Sequence, residues 1–228
     1  MLELVLFDID GTLVRTGGAG TEAFRKVFAA EFSATDGFEK LKFAGRTDTG
    51  LVREFFEYHH IPMTPENLER FFEHYVFLLD YILSRGAPHA CEGVLGFIAD
   101  LIELPEPPML GLLTGNIRLG AEIKLRHTGL WDIFEMGAFA DDNEDRNLIA
   151  AAARDRGSRL LGKPLRGEEI LVIGDTPHDI RCGRYIGAKV LAVGTGGATL
   201  EELKAHSPDW VVENLKQISA GQIAAELT

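Results

Sequence analysis

Hydrophobic positions follow two different periods along the chain. Leu4–Phe7 is continuously apolar, the pattern of a central parallel strand covered on both faces. From Thr21 to about Ser84 the period becomes helical. Phe24, Val27, Phe28 and Phe32 recur at helical spacing, as do Leu51, Val52, Phe55 and Phe56. Thr64-Pro65-Glu66 starts a further helix with a hydroxyl cap, a proline at the first position and an acid at the positive dipole end. Its apolar stripe runs through Leu68, Phe71, Phe72, Tyr75, Leu79 and Ile82. Most of the 14 phenylalanines fall in this stretch, which reads as the core of a small helical bundle rather than a ligand box.

Strand–helix alternation resumes at Glu92. A helix over Glu92–Glu103 is stopped by Pro105, Pro107 and Pro108. Met109–Leu113 then reads as a buried strand, followed by Thr114-Gly115-Asn116 and a helix to about His127, with Gly129 as its stop. A weaker strand over Met136–Phe139 leads through an acidic loop to a helix over Arg146–Arg156. The stretch Gly157–Gly167 reads as a basic, locally mobile loop. Ile170–Ile173 and Val190–Val193 supply two more buried strands around a helix that stops near Gly187. Gly194-Thr195-Gly196-Gly197 lacks the third glycine of a dinucleotide fingerprint and reads as a βα turn.

Such alternation predicts an α/β fold with a doubly wound parallel sheet. Residues 1–14 and 89–228 form its core, and 15–88 a helical insertion after the first strand. The glycine-rich connection Arg15–Gly20 is expected to be a hinge.

Composition narrows the partners. Lys and Arg number 23 against 35 Asp and Glu, a formal charge of −12 that disfavours nucleic acid polymers and anionic membranes. No apolar run approaches transmembrane length. Met1 leads into a strand with Glu3 inside it, so no secretory leader is expected. Cys91 and Cys182 have no metal-ligand spacing, which fits a reduced cytoplasmic chain.

The chemistry gathers at strand ends. Asp8 and Asp10 follow the first strand, where open α/β sheets place their ligands. Thr114, Arg146, and Asp175 with Asp179 stand at corresponding places after later strands. Several carboxylates in one cleft repel one another unless a cation joins them. An oxygen-only set suits Mg²⁺. A hydroxyl and a guanidinium are donors for phosphoryl oxygens, and a carboxylate can serve as nucleophile. Together these point to phosphoryl transfer.

Asp8-Ile9-Asp10-Gly11-Thr12-Leu13, the hydrophobic run into Thr114, and Gly174-Asp175-Thr176-Pro177-His178-Asp179 resemble motifs of the haloacid dehalogenase superfamily, in its phosphoglycolate phosphatase-like branch with a helical cap. The resemblance implies that Asp8 attacks phosphorus and Asp10 acts as acid and base. Asp8, the Asp10 carbonyl and Asp175 would hold Mg²⁺. Thr114, Gly115 and a cation would hold the phosphoryl group, with Asp179 supporting the metal or orienting that cation. The family usually has a lysine in the cation's place. Here Asp145-Arg146-Asn147 fills it, with Lys163 as rival. Lys163 lies only 12 positions before Asp175, too few for an intervening helix and strand. Dehalogenases of the superfamily lack an acid at the place of Asp10, so a phosphatase acting on a small phosphorylated metabolite is implied. Arg46, in Phe43-Ala44-Gly45-Arg46-Thr47-Asp48, is expected either to touch substrate from the cap or to form a surface ion pair. A sugar-phosphate mutase and a catalytically silent binding protein are the alternative readings.

Overall fold

The computed structural model describes residues 1–227. Its main sheet has six strands: β1 (Leu4–Phe7), β4 (Met109–Leu113), β5 (Met136–Ala138), β6 (Ile170–Gly174), β7 (Lys189–Val193) and β8 (Trp210–Val212). The spatial order is β5-β4-β1-β6-β7-β8, and every pair is parallel. The remaining strands, β2 (Val14–Arg15) and β3 (His89–Ala90), form a short antiparallel pair.

The order places β1 at the topological switch. The chain builds outward through β4 and β5 on one side of β1, and through β6, β7 and β8 on the other. Connections diverge there, which opens a crevice at the carboxyl end of β1. Alternate β1 residues serve the two faces of the sheet. Val5 and Phe7 join a core with α4 (Val94–Ile102), α5 (Arg118–His127) and α9 (Ala220–Glu226). Leu4 and Leu6 join a second core with α6 (Arg146–Leu160), α7 (Pro177–Tyr185) and α8 (Leu200–Ala205). All four β1 residues are buried, so the continuous apolar run is what two covered faces require.

Between β2 and β3 lie α1 (Ala19–Phe32), α2 (Asp48–Tyr58) and α3 (Pro65–Arg85). They have their own core of Phe24, Val27, Phe28, Phe55, Phe56, Phe71 and Tyr75. The Phe28 ring centroid lies 4.0 Å from that of Phe55 and 4.5 Å from that of Phe71, contacts that aromatic side chains favour beyond simple burial. Thr64 caps α3 as its sequence predicts, its hydroxyl accepting a hydrogen bond from the Asn67 amide at 3.2 Å.

One expectation fails. Gly157 does not begin a loop, because α6 continues to Leu160. A Cβ at Gly157 would come within 2.7 Å of the Leu4 side chain, so this glycine lets the helix approach β1 closely rather than ending it. The last strand and helix, β8 and α9, are further elements that the hydrophobic pattern did not single out.

Candidate active site

Asp8 follows β1 directly and is buried, its amide donating to the Ile173 carbonyl at 2.9 Å. The adjacent turn has Gly11 at φ 84°, a left-handed conformation that glycine adopts at little cost. A Cβ there would also lie 2.7 Å from both the Asp175 carboxylate and Gly196. Gly11 thus lets the first strand's turn and the turn after β7 close around Asp175. Both Asp175 oxygens accept hydrogen bonds, from the Thr12 hydroxyl at 3.2 Å and from the Gly197 amide at 3.0 Å. The late glycine cluster is a βα turn, and it also supplies this donor.

Arg146 is the first residue of α6, whose start is fixed by Asp145 accepting from the Asn147 amide at 2.9 Å. Its guanidinium, 7% exposed, reaches Asp8 at 3.3 Å and also pairs with Asp179. The other Asp179 oxygen accepts from the Thr176 amide at 3.0 Å and hydroxyl at 2.7 Å, closing the capping box of α7. Asp179 therefore pairs with Arg146 while anchoring the following helix.

Carboxylate oxygens of Asp8, Asp175 and Asp179 lie within 4.8 Å of one another. Burial, then repulsion from Asp179, pushes the Asp8 carboxyl up to about 7, although Arg146 pulls the other way. Burial, then repulsion from Asp179 and Asp8, raises Asp175 well above the usual carboxylate range. One guanidinium does not neutralise three buried carboxylates, so the cluster suits a hard divalent cation with oxygen ligands.

Asp8, Asp10, Thr114, Gly115, Arg146, Asp175 and Arg46 all line one cavity of about 650 Å³. The cavity lies between the sheet's carboxyl edge and the helical segment, which contributes Phe24, Phe43, Leu51 and Tyr75. Arg46 pairs with Glu54 at 2.7 Å within that segment, so its charge is partly satisfied there. Lys163 is elsewhere. It pairs at 2.6 Å with Glu3, which precedes β1 and so lies at the opposite edge of the sheet. Lys163→Ala is accordingly expected to leave phosphate-ester turnover within about twofold of wild type, as surface ion pairs contribute little. Steady-state phosphate release measures this, and a large loss would return the cation's role to Lys163.

Three buried polar residues around the cavity escaped the sequence reading: Asn116, Lys124 and Asp48. Asn116 donates to Asp10 and to the Thr114 hydroxyl, both at 2.9 Å. Lys124, 4% exposed, pairs with Asp10 at 2.6 Å. Its only sequence signal is a charge set into the buried side of α5, beside Ala121 and Leu125.

Asp48 fastens the helical segment to the core. Its amide donates to the Gly115 carbonyl at 2.7 Å, and its carboxylate accepts from the Ile117 amide at 2.8 Å. Burial pushes this carboxyl up to about 7 against the opposing pull of Lys124. An acid raised on folding contributes its full stability below its unfolded pKa and loses it as pH rises through the folded value. Asparagine keeps the acceptor oxygen without a charge to desolvate. The wild-type Tm is therefore expected to fall relative to that of Asp48→Asn between about pH 4 and pH 7. Thermal denaturation of both proteins across that range tests this, and parallel curves would contradict it.

A family model described as haloacid dehalogenase-like hydrolase matches residues 5–193. Among curated relatives, pyrophosphatase PpaX of Anoxybacillus flavithermus is 26% identical over 227 residues, covering 95% of each chain. Among solved structures, CbbY from Rhodobacter sphaeroides in complex with phosphate superposes with a TM-score of 0.78 at 18% identity, covering 98% of this chain and 100% of that one. A mutant of the same CbbY in complex with xylulose-(1,5)bisphosphate gives a TM-score of 0.79, also at 18% identity, over 98% and 99% of the two chains. At such identity the structural likeness is one of fold.

Proposed function

The chain belongs to the haloacid dehalogenase-like hydrolases, and on that premise we propose that it is a Mg²⁺-dependent phosphatase acting on a small phosphate monoester. The observation that carries this reading is the meeting of Asp8 with Arg146, 3.3 Å apart, in a cavity also lined by Asp10, Thr114 and Asp175. A nucleophile, a proton carrier, phosphoryl-oxygen donors and a carboxylate cluster then face one space.

In this reading an Asp8 oxygen attacks phosphorus in line and forms an aspartyl-phosphate, while the ester oxygen leaves with its electron pair and a proton from Asp10. Asp10, now a carboxylate, takes a proton from the water that hydrolyses the intermediate and so regains its acid form. The Thr114 hydroxyl, the Gly115 amide and the Arg146 guanidinium hold the phosphoryl oxygens, with Asp179 keeping Arg146 in place. Asp8, the Asp10 carbonyl and Asp175 would hold Mg²⁺, whose charge stabilises the negative oxygens of the transferring group. The raised Asp8 and Asp175 carboxyls support this, because a bound cation restores the ionised forms that the chemistry needs.

Residues 15–88 act as a cap over the site, with the paired β2 and β3 segments as its two stems. Support comes from the separate aromatic core and from Gly17 and Gly18 at positive φ beside the stem. The named relatives act on pyrophosphate or bind a sugar bisphosphate. A substrate of that size fits a cavity of about 650 Å³. Two buried free thiols, Cys91 and Cys182, support a reducing, cytoplasmic setting. The test is phosphate release from a panel of pyrophosphate, phosphoglycolate, sugar phosphates and nucleotides, with Mg²⁺ and with chelator. Metal-dependent release from one or a few members is expected, and none from any member would remove the reading.

A further inference from the structure

Lys124 is a charged side chain where α5 should be apolar. Its flanking residues Ala121 and Leu125 are wholly buried, and Lys124 itself is 4% exposed. Burying an ammonium is costly unless it is paired and hydrogen-bonded. Here two of its protons are taken, by Asp10 Oδ2 at 2.6 Å and by Asn116 Oδ1 at 2.5 Å. Asn116 in turn donates to the same Asp10 oxygen at 2.9 Å. Among the described residues, both hydrogen bonds to the Asp10 side chain thus fall on Oδ2.

We propose that Lys124 is a positioning residue for the proton-delivering step: with Asn116 it ties Oδ2 of Asp10 and reserves Oδ1 for the departing oxygen. The proposal rests on the phosphatase reading above. As Asp8 bonds to phosphorus, the bond to the ester oxygen breaks and its electron pair stays on that oxygen. The proton on Asp10 Oδ1 moves to it, and the charge left on Asp10 is met at Oδ2 by donors already in place. Preset donors at a site of developing charge need no rearrangement during the reaction.

The position of Lys124 also makes this arrangement sensitive to the cap. A Cβ on Gly20 of α1 would lie 3.5 Å from the ammonium and 3.7 Å from the Tyr75 hydroxyl of α3. The lysine thus stands between Asp10 and α1 of the cap segment. Asp48, at the start of α2, is a further cap charge close enough to feel it.

A buried lysine that merely supports the fold would not distinguish substrates by leaving group. The experiment compares β-glycerophosphate, whose alkoxide must be protonated as it leaves, with p-nitrophenyl phosphate, whose phenolate needs little help. The quantity read is kcat/KM with Mg²⁺, which reports steps up to departure of the leaving group. Lys124→Met is expected to lower it about 30-fold for β-glycerophosphate and less than about threefold for p-nitrophenyl phosphate, a part of the roughly 10²–10⁴-fold that general acid catalysis supplies in full. The loss should fall on kcat rather than KM. In an Asp10→Asn background Lys124→Met should add nothing for β-glycerophosphate. Equal losses on both esters, a change confined to KM, or additive losses with Asp10→Asn would overturn the proposal. If Lys124→Met does not fold, Lys124→Gln is read the same way, with a smaller but still selective loss. Wild-type protein that releases phosphate from neither ester, nor from any member of the panel above, would instead sink the phosphatase reading.

Discussion

Asp8→Asn is expected to reduce phosphate release by at least about 10³-fold, the scale seen when a nucleophile is removed from a site whose other groups remain. The amide cannot form the aspartyl-phosphate, while Thr114, Arg146 and Asp175 stay in place to bind. The same substitution should leave the metal-free protein as stable as wild type, or more so, near pH 8. The reason is the Asp8 carboxyl, which burial and Asp179 push up to about 7, so that ionising it in the folded state is costly. A group raised in this way loses its contribution as pH rises through that value, and asparagine has no proton to lose. Arg146 keeps Asp179 as a partner after the change. Activity and stability therefore move apart. Phosphate release together with thermal denaturation in chelator measures both, and a substantially active Asp8→Asn would show that another group attacks phosphorus.

The divergence also explains which parts of the site the sequence makes visible. Asp8 and Asp10 are legible because their energetic cost is local: two carboxylates directly after a buried strand need an external reason. Arg146 is legible against Lys163 through chain length, since a helix and a strand must fit before Asp175. Lys163 pairs with Glu3 beyond the other end of β1. Asp48 and Lys124 follow a different logic. Each sits on a helix, and its telling partner comes from a remote segment: Ile117 for Asp48 and Asp10 for Lys124. Nothing within a helical turn of either residue records those partners. Gly157 misleads for the same reason, because its nearest neighbour in space is the remote Leu4. Periodicity reports the faces of an element, whereas these contacts depend on which elements meet.

Arg146→Met is expected to damage stability and activity together, unlike Asp8→Asn. Methionine fills much of the same volume but leaves Asp8, Asp175 and Asp179 without a buried cation. Removing one partner of a buried ion pair costs about 3–5 kcal/mol, mostly through the charges left behind. In chelator the variant should therefore unfold at markedly lower denaturant concentration. A divalent cation can take up part of that imbalance, since the carboxylate oxygens lie within 4.8 Å of one another. Anything that binds the folded state alone stabilises it in proportion to the logarithm of its concentration over Kd. Mg²⁺ should then raise the Tm of Arg146→Met by more than it raises that of wild type. Turnover should nevertheless stay low in saturating Mg²⁺, because metal charge does not replace the guanidinium fork on the phosphoryl oxygens. Denaturation with and without Mg²⁺, alongside phosphate release, separates the two roles. Equal Mg²⁺ shifts in variant and wild type would mean that Arg146 and the cation do not share the charge of this cluster.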